Sequence, residues 1–355
     1  MKGVILCAGL GTRLRPLTHT AAKHLIPVAN KPILQYGIEA LRDAGISDIA
    51  LVVGYAQDEI RAAMMDGSQF GVRIEYVEQR DPKGLAHALY VAKDFVGEEG
   101  VLMYLGDNVI GGGIGDFVAA YNESGADAAI LLNEVKDPSH FGIAELSDGT
   151  VVRVIEKPQV PTSNLAIVGV YAFNSSVFGA IERIKPSARG ELEITDAIQN
   201  LIDGGKRVLP FILRRWWKDT GRPADVLDLN RHLLERMDEY SIEGKVCPET
   251  QIVGRVQVGK GTEIARSVLR GPIIVGRDCR LSDCYIGSFT SIGHGVTIAN
   301  TEIQYSIIMD NCEISGLGTM LDHSLIGRNV TLTHSDNKPR AHRFILADDS
   351  RAEVA

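Results

Sequence analysis

Long apolar runs are missing from this 355-residue chain. No stretch approaches the roughly 18 apolar residues a membrane-spanning helix needs, so no membrane partner is expected. The N-terminal apolar run is short and enters a glycine loop at once, unlike a secretory signal. Cysteine is scarce: Cys7, Cys247, Cys279, Cys284 and Cys312 are odd in number and form no Cys-x-x-Cys pair. That argues against a disulfide framework and for buried thiols in a reducing, cytoplasmic setting. A positive balance is also missing. The net charge of −8 argues against a nucleic-acid partner.

What remains is an ordinary globular composition, 45% hydrophobic and 23% charged, long enough for two domains. Val4 to Ala8 is a buried parallel strand by pattern. It breaks into Gly9-Leu10-Gly11-Thr12-Arg13, and Lys23 follows ten residues later. A glycine loop after such a strand lets backbone N–H groups crowd round phosphates. Arg13 and Lys23 add two positive charges, which suits a polyphosphate and an anionic second reactant. Strand patterns at 49–54, 72–77 and 101–105 alternate with helical patterns at 33–44, 59–65 and 85–95. This βαβα order predicts an α/β domain with a Rossmann-like, mostly parallel sheet and ligands beyond the carboxyl ends of its strands. A helix over Pro223 to Met237 is expected to close that domain.

From residue 252 the pattern changes. Aliphatic residues fall at Ile252, Val258, Ile264, Leu269, Val275, Leu281, Ile286, Ile292, Ile298, Ile303, Ile308, Ile314, Met320, Ile326 and Leu332, with ten gaps of six and four of five. Neither a helix nor a simple strand has that period. A parallel β-helix does, with one inward aliphatic per side of a triangular coil. The expected division is therefore 1–240 for the nucleotide-binding domain, 245–335 for a parallel β-helix of hexapeptide repeats, and 336–355 for a poorly ordered tail.

Several residues are placed to carry chemistry, each with a plainer alternative. Asp107 directly follows a buried strand and suits holding Mg²⁺ against phosphate oxygens, or capping a loop. Asp219, in Trp217-Lys218-Asp219-Thr220-Gly221, suits the same role or a helix N-cap. Lys157 could clamp an anionic substrate and Glu156 could hold sugar hydroxyls, or both could be surface charges. Gly142 and Gly169 would allow close backbone approach, or serve turns and bulges. Gln79 could read a base edge, or be ordinary surface polarity.

Taken together, Ala8-Gly9-Leu10-Gly11-Thr12-Arg13-Leu14, Lys23-His24-Leu25-Ile26-Pro27-Val28, Leu105-Gly106-Asp107-Asn108, Glu156-Lys157-Pro158, Arg189-Gly190-Glu191-Leu192-Glu193-Ile194-Thr195-Asp196 and Trp217-Lys218-Asp219-Thr220-Gly221 resemble the sugar-1-phosphate nucleotidylyltransferases. The nearest resemblance is to the long-form thymidylyltransferases, which append a left-handed β-helix. It implies a Mg²⁺-dependent transfer from dTTP to α-D-glucose 1-phosphate, giving dTDP-glucose and pyrophosphate, in a homo-oligomer (trimer or tetramer).

The implied nucleotide contacts are Leu6, Ala8, Gly9, Gly11, Thr12, Arg13, Lys23, Gln79, Gly84 and Asp107. The implied sugar-phosphate contacts are Gly142, Glu156, Lys157, Gly169 and Tyr171. The implied catalytic group is Arg13, Lys23, Asp107, Lys157 and Asp219, with metal held by Asp107 and Asp219. Ala8 and His24 stand where the short form commonly has Gly and Gln, which keeps UTP open as the nucleotide.

Three rival readings were weighed. A dinucleotide site would want a glycine at Leu14. An acyltransferase could use His294, His323 or His334 of the repeats. A non-catalytic regulatory subunit would be expected to have lost the charged residues that are present.

Overall fold

The computed structural model describes residues 1–238, 240–334 and 346–353. Contacts divide the chain into two compact units. One comprises Met1–Leu10, Ala21–Leu25 and Ile33–Asp219; the other comprises Gly11–Thr20, Ile26–Pro32 and Thr220–Ala355.

The first unit is built on strand β1 (Lys2–Cys7), flanked in parallel by β2 (Asp48–Val53) and β4 (Val101–Leu105), with β3 (Arg73–Glu78) outside β2. Both faces of β1 are buried. Val4 and Leu6 enter one core cluster, while Ile5 and Cys7 enter the other. A strand covered on both faces reads as a continuous apolar run rather than as an alternation.

Helix α1 (Ile33–Asp43) packs Leu34, Ile38 and Leu41 into the second cluster. The α2 helix covers Gln57–Met64. The helix expected over 85–95 forms as two pieces, α3 (Leu85–Tyr90) and α4 (Lys93–Val96). The backbone turns at Ala92 (φ −88°, ψ 7°), and Ala92 and Phe95 both reach the core.

Beyond β4 the sheet changes character. After β5 (Asn108–Ile110), α5 (Gly115–Ser124) and β6 (Ala128–Glu134) come β7 (Gly142–Ser147), β8 (Thr150–Glu156) and the long β9 (Leu165–Phe173). Strand β9 pairs antiparallel with β4, β6 and β7. After α6 (Ser176–Arg183) and α7 (Ile194–Asp203), β10 (Val208–Ile212) joins β6 in parallel, and β11 (Trp217–Asp219) pairs with β5. The parallel half thus carries the glycine loop, and the antiparallel half carries Gly142, Glu156 and Gly169.

In the second unit, short parallel strands stack in three sheets, forming a left-handed parallel β-helix. Its inward ladders are Val258–Val275–Ile292–Ile308–Ile326, Ile252–Leu269–Ile286–Ile303–Leu321 and Val246–Ile264–Leu281–Ile298–Ile314–Leu332. One expected position is corrected. Met320 is 38% exposed, and Leu321 takes the inward place opposite Ile303. The step from Ile303 to Leu321 is one residue longer than the step from Ile286 to Ile303, and Gly316 turns at φ +66° within it.

All five cysteines are unpaired. The thiols of Cys279, Cys284 and Cys312 donate to carbonyls of the next coil, at Gly293, Ile298 and Gly327.

Helix α8 (Pro223–Glu235) belongs to this second unit. Its buried Asn230 accepts from Ala29 N (2.8 Å) and Ser291 Oγ (2.7 Å) and donates to Phe289 O (3.0 Å). The expected tail 336–355 lies partly outside the described residues. In its described part, the Asp349 carboxylate meets Arg15 (3.7 Å) and His19 (3.1 Å).

Candidate functional site

At the carboxyl ends of β1 and β4 the backbone is crowded. A Cβ on Gly106 would come within 2.8 Å of Cys7 Sγ and 3.0 Å of Leu6 O, so only glycine lets the chain pass β1 and present Asp107. The Lys23 side chain crosses Gly9, where a Cβ would meet Lys23 Cε at 3.2 Å. Its ammonium pairs with Asp107 Oδ2. Asp107 Oδ1 accepts from Asn108 Nδ2 (2.9 Å). Asn108 is itself fixed, because Trp217 Nε1 donates to its Oδ1 (2.6 Å) and Tyr104 Oη to its carbonyl (3.0 Å). Gly169 leaves room for this group, since a Cβ there would meet Asn108 Oδ1 at 2.9 Å. Asp219 sits opposite Asn108 in the β5–β11 pair.

The electrostatics follow from that packing. Burial works against the Lys23 charge, yet Asp107 foremost and Asp219 after it hold its pKa above the ordinary value. Burial likewise opposes ionisation of Asp107, but the Lys23 charge, with hydrogen bonds from Lys23 and Asn108, outweighs it and holds the carboxyl well below the usual carboxylate range. His24 is pushed down to about 3 by burial and by the Lys23 charge. It stays neutral, with Nδ1 lacking a hydrogen-bond partner. Burial and the Asp107 charge push the Cys7 thiol up, so it is not a nucleophile.

Asp107 pairs with the Lys23 ammonium, and the Asp219 charge also favours its protonated form. Among the described residues no group of three or more His, Cys, Asp and Glu side chains gathers as a metal cage. One or two carboxylates plus substrate phosphates are a usual donor set for a divalent metal, and Asp107 and Asp219 are carboxylates of that kind.

Gln79 is buried, not surface polarity. Its Nε2 lies 2.8 Å from His87 Nδ1 and 3.4 Å from Gly84 O. Gly84 needs its φ of +101°, because a Cβ would strike Leu192 O at 2.5 Å.

Gly142 faces Glu156 across the β7–β8 pair, where a Cβ would meet Glu156 Oε2 at 3.1 Å. Thr195 Oγ1 donates to that oxygen (3.3 Å), and Arg189 Nη2 donates to Oε1 (3.2 Å). Lys157 lies at φ +41°, unusual for a lysine, with Nζ 3.4 Å from Glu156 Oε1. Tyr171 stacks on Phe173 in the core (6.1 Å). Burial, with the Glu156 charge, keeps its phenol protonated.

The first unit thus brings together Leu6, Ala8, Gly9, Lys23, Asp107, Gly169 and Asp219, and separately groups Gln79 with Gly84 and Gly142 with Glu156 and Lys157. Gly11, Thr12 and Arg13 belong to the second unit. Gly11 turns there at φ +62°, and a Cβ on Gly221 would meet Arg13 Nη2 at 3.0 Å.

Sequence reasoning assigned no role to Asn108, His87, Arg189, Glu193 or Thr195. Asn108 lies in Leu105-Gly106-Asp107-Asn108, and Arg189, Glu193 and Thr195 lie in the 189–196 motif, whereas His87 carries no such signal. In the β-helix, the His294 Nδ1 accepts from Arg277 N (2.9 Å), and His323 pairs with Asp322 and stacks on Tyr305.

The nucleotidyl transferase family model matches residues 2–236. The glucose-1-phosphate thymidylyltransferase of Streptomyces antibioticus is 49% identical over 356 residues, covering 100% of this chain and 99% of the relative. That of Streptomyces griseus is 45% identical, covering 100% of both. Among solved structures, a Bacillus anthracis protein named as a glucose-1-phosphate thymidylyltransferase, in complex with a sucrose, superposes with a TM-score of 0.63 and 34% identity. The match covers 68% of this chain and 98% of that one.

Proposed function

The chain belongs to the nucleotidyl transferase family, among the glucose-1-phosphate thymidylyltransferases it matches end to end, and from that premise we propose that it joins dTTP to α-D-glucose 1-phosphate, releasing pyrophosphate and dTDP-glucose. The observation that carries this reading is the buried Lys23–Asp107 pair beside Gly9, with Asp219 acting on the same ammonium.

A sugar-phosphate oxygen attacks the α-phosphorus. The new P–O bond forms as the bond to the bridging oxygen breaks, and the electron pair leaves with pyrophosphate. The attacking phosphate is largely dianionic at neutral pH, since its second pKa is about 6. No general base is needed for that attack.

The difficulty is bringing two polyanions together, which positioned charge answers. Lys23 binds the triphosphate, and Arg13 balances charge on the leaving pyrophosphate. Gly9, Gly11 and Thr12 offer backbone N–H groups. Leu6, Ala8, Gln79 and Gly84 flank the base. Lys157 takes the sugar's phosphate, while Glu156, Gly142, Gly169 and Tyr171 shape the sugar site. Asp107 and Asp219 would hold a divalent metal, Mg²⁺, which supplies charge stabilisation on phosphate oxygens.

We place the catalytic domain at 1–240 and the β-helix at 245–335. The setting is a cytoplasmic homo-oligomer, in keeping with five unpaired thiols. Among the described residues no helix is long and apolar enough to cross a membrane.

The test is pyrophosphate release, crossing dTTP, UTP, ATP, CTP and GTP with glucose 1-phosphate, N-acetylglucosamine 1-phosphate and mannose 1-phosphate. The fastest rate is expected for dTTP with glucose 1-phosphate. A clear preference for UTP would overturn the base assignment, and silence across the grid would overturn the activity.

A further inference from the structure

Outside the charged pair, the stretch entering α7 in the first unit carries a connected polar network. Glu193 is buried, its side chain 3% exposed. It accepts from Ser187 Oγ (2.7 Å) and from both Nε (3.2 Å) and Nη2 (2.9 Å) of Arg189. A buried carboxylate needs such a partner, and a guanidinium held along one edge keeps a fixed orientation. The same Nη2 reaches Glu156 Oε1, and Thr195 Oγ1 reaches Glu156 Oε2. Both oxygens of Glu156 are therefore held from one short segment.

We infer that Arg189, anchored on Glu193, is a positioning residue that aims Glu156 at the sugar and keeps Lys157 available for the sugar's phosphate. The inference rests on the functional reading above. A carboxylate has about four acceptor sites. Arg189 and Thr195 use two, leaving two for hydroxyl donors on the sugar. Lys157 Nζ lies 3.4 Å from the oxygen that Arg189 holds. Without the guanidinium, Lys157 is the cation left in ion-pair distance of Glu156 among the described residues. An ammonium drawn onto that carboxylate is lost to the phosphate.

The segment also braces the base side. Leu192 N donates to Lys83 O (2.7 Å), and Ala86 N donates to Leu192 O (3.0 Å). A merely structural role for Arg189 would therefore disturb the nucleotide site as much as the sugar site, whereas a positioning role moves the sugar alone.

The experiment measures kcat, both KM values and Tm for wild type, Arg189→Ala, Arg189→Lys, Glu156→Gln and the Arg189→Ala/Glu156→Gln pair, using the best substrates of the grid. Arg189→Ala is expected to raise KM for the sugar phosphate about tenfold or more, as loss of a charge-assisted hydrogen bond implies, with KM for the nucleotide within about twofold. In the Glu156→Gln background the same change should add less than about twofold. Arg189→Lys keeps the charge but not the fork, so it should restore Tm while leaving the sugar KM raised.

Multiplying effects in the double variant would overturn the inference. So would equal rises in both KM values, or full recovery of the sugar KM by lysine. A wild type that turns over no pair overturns the functional reading and this inference together. A normal wild type with additive variants overturns this inference alone.

Discussion

Lys23 and Asp107 hold each other in a largely buried site, with side chains 16% and 17% exposed. Removing one partner leaves the other charge uncompensated, which costs about 3–5 kcal/mol for a buried pair. Lys23→Met is expected to lower both Tm and turnover. Adding Asp107→Leu should recover much of the stability and none of the turnover. Thermal melts and initial rates on the three variants check this, and recovery of both together would refute a role for the pair in chemistry.

His24 makes a separate, pH-dependent prediction. It titrates near 6.5 when unfolded and near 3 when folded. Between those values the unfolded chain binds the extra proton, so stability falls as pH falls. The slope is up to about 1.4 kcal/mol per unit. Asp107, held low, contributes its own loss only below about pH 4, and half-buried His87, also lowered, adds in the same direction as His24. His24→Gln should flatten the fall in stability between pH 6.5 and 4.5, as read by denaturant melts at each pH. An unchanged slope would show that His24 does not stay neutral in the fold.

Asp107, Lys157 and Asp219 were legible because each stands at or just beyond the end of a strand. Arg189 and Glu193 were not, because their pairing depends on where the 187–193 segment folds back.

At the scale of elements, the loop before α3 and the segment before α7 depend on each other through Gly84. A Cβ there meets backbone at 2.5 and 2.8 Å, at a φ of +101° that side chains rarely adopt. Gly84→Ala should cost about 2 kcal/mol or more and raise KM for the nucleotide, checked by melts and initial rates. A neutral effect would mean that the loop has other conformations open to it.

Strands β1, β2 and β4 were readable as apolar runs because both their faces are covered. The antiparallel half was not, since β9 pairs with strands on both sides and nothing in its own pattern gives their direction. The break at Ala92 was hidden for a related reason: periodicity reports which residues face the core, and both halves of the helix face it.

For the whole molecule, the hexapeptide period specified the β-helix nearly coil by coil. It failed only at Met320, where one added residue in the coil moved the inward place to Leu321. Each coil buries its aliphatics only against its neighbours, so a cavity in a middle coil should be felt along the stack. Ile303→Ala, at a fully buried position, is expected to cost about 2–5 kcal/mol, whereas Met320→Ala should be nearly silent. Equal costs would contradict the observed register.

Asn230 ties α8 to Ala29, Phe289 and Ser291 within the second unit, a polar anchor that apolar periodicity does not report. Charge and position together allow one direct displacement at phosphorus. The stereochemical course of the reaction tests it most directly, using a single diastereomer of dTTP with sulfur on the α-phosphorus and glucose 1-phosphate as acceptor. Inversion at phosphorus is predicted. Retention would mean two displacements through a covalent intermediate, which would contradict the account.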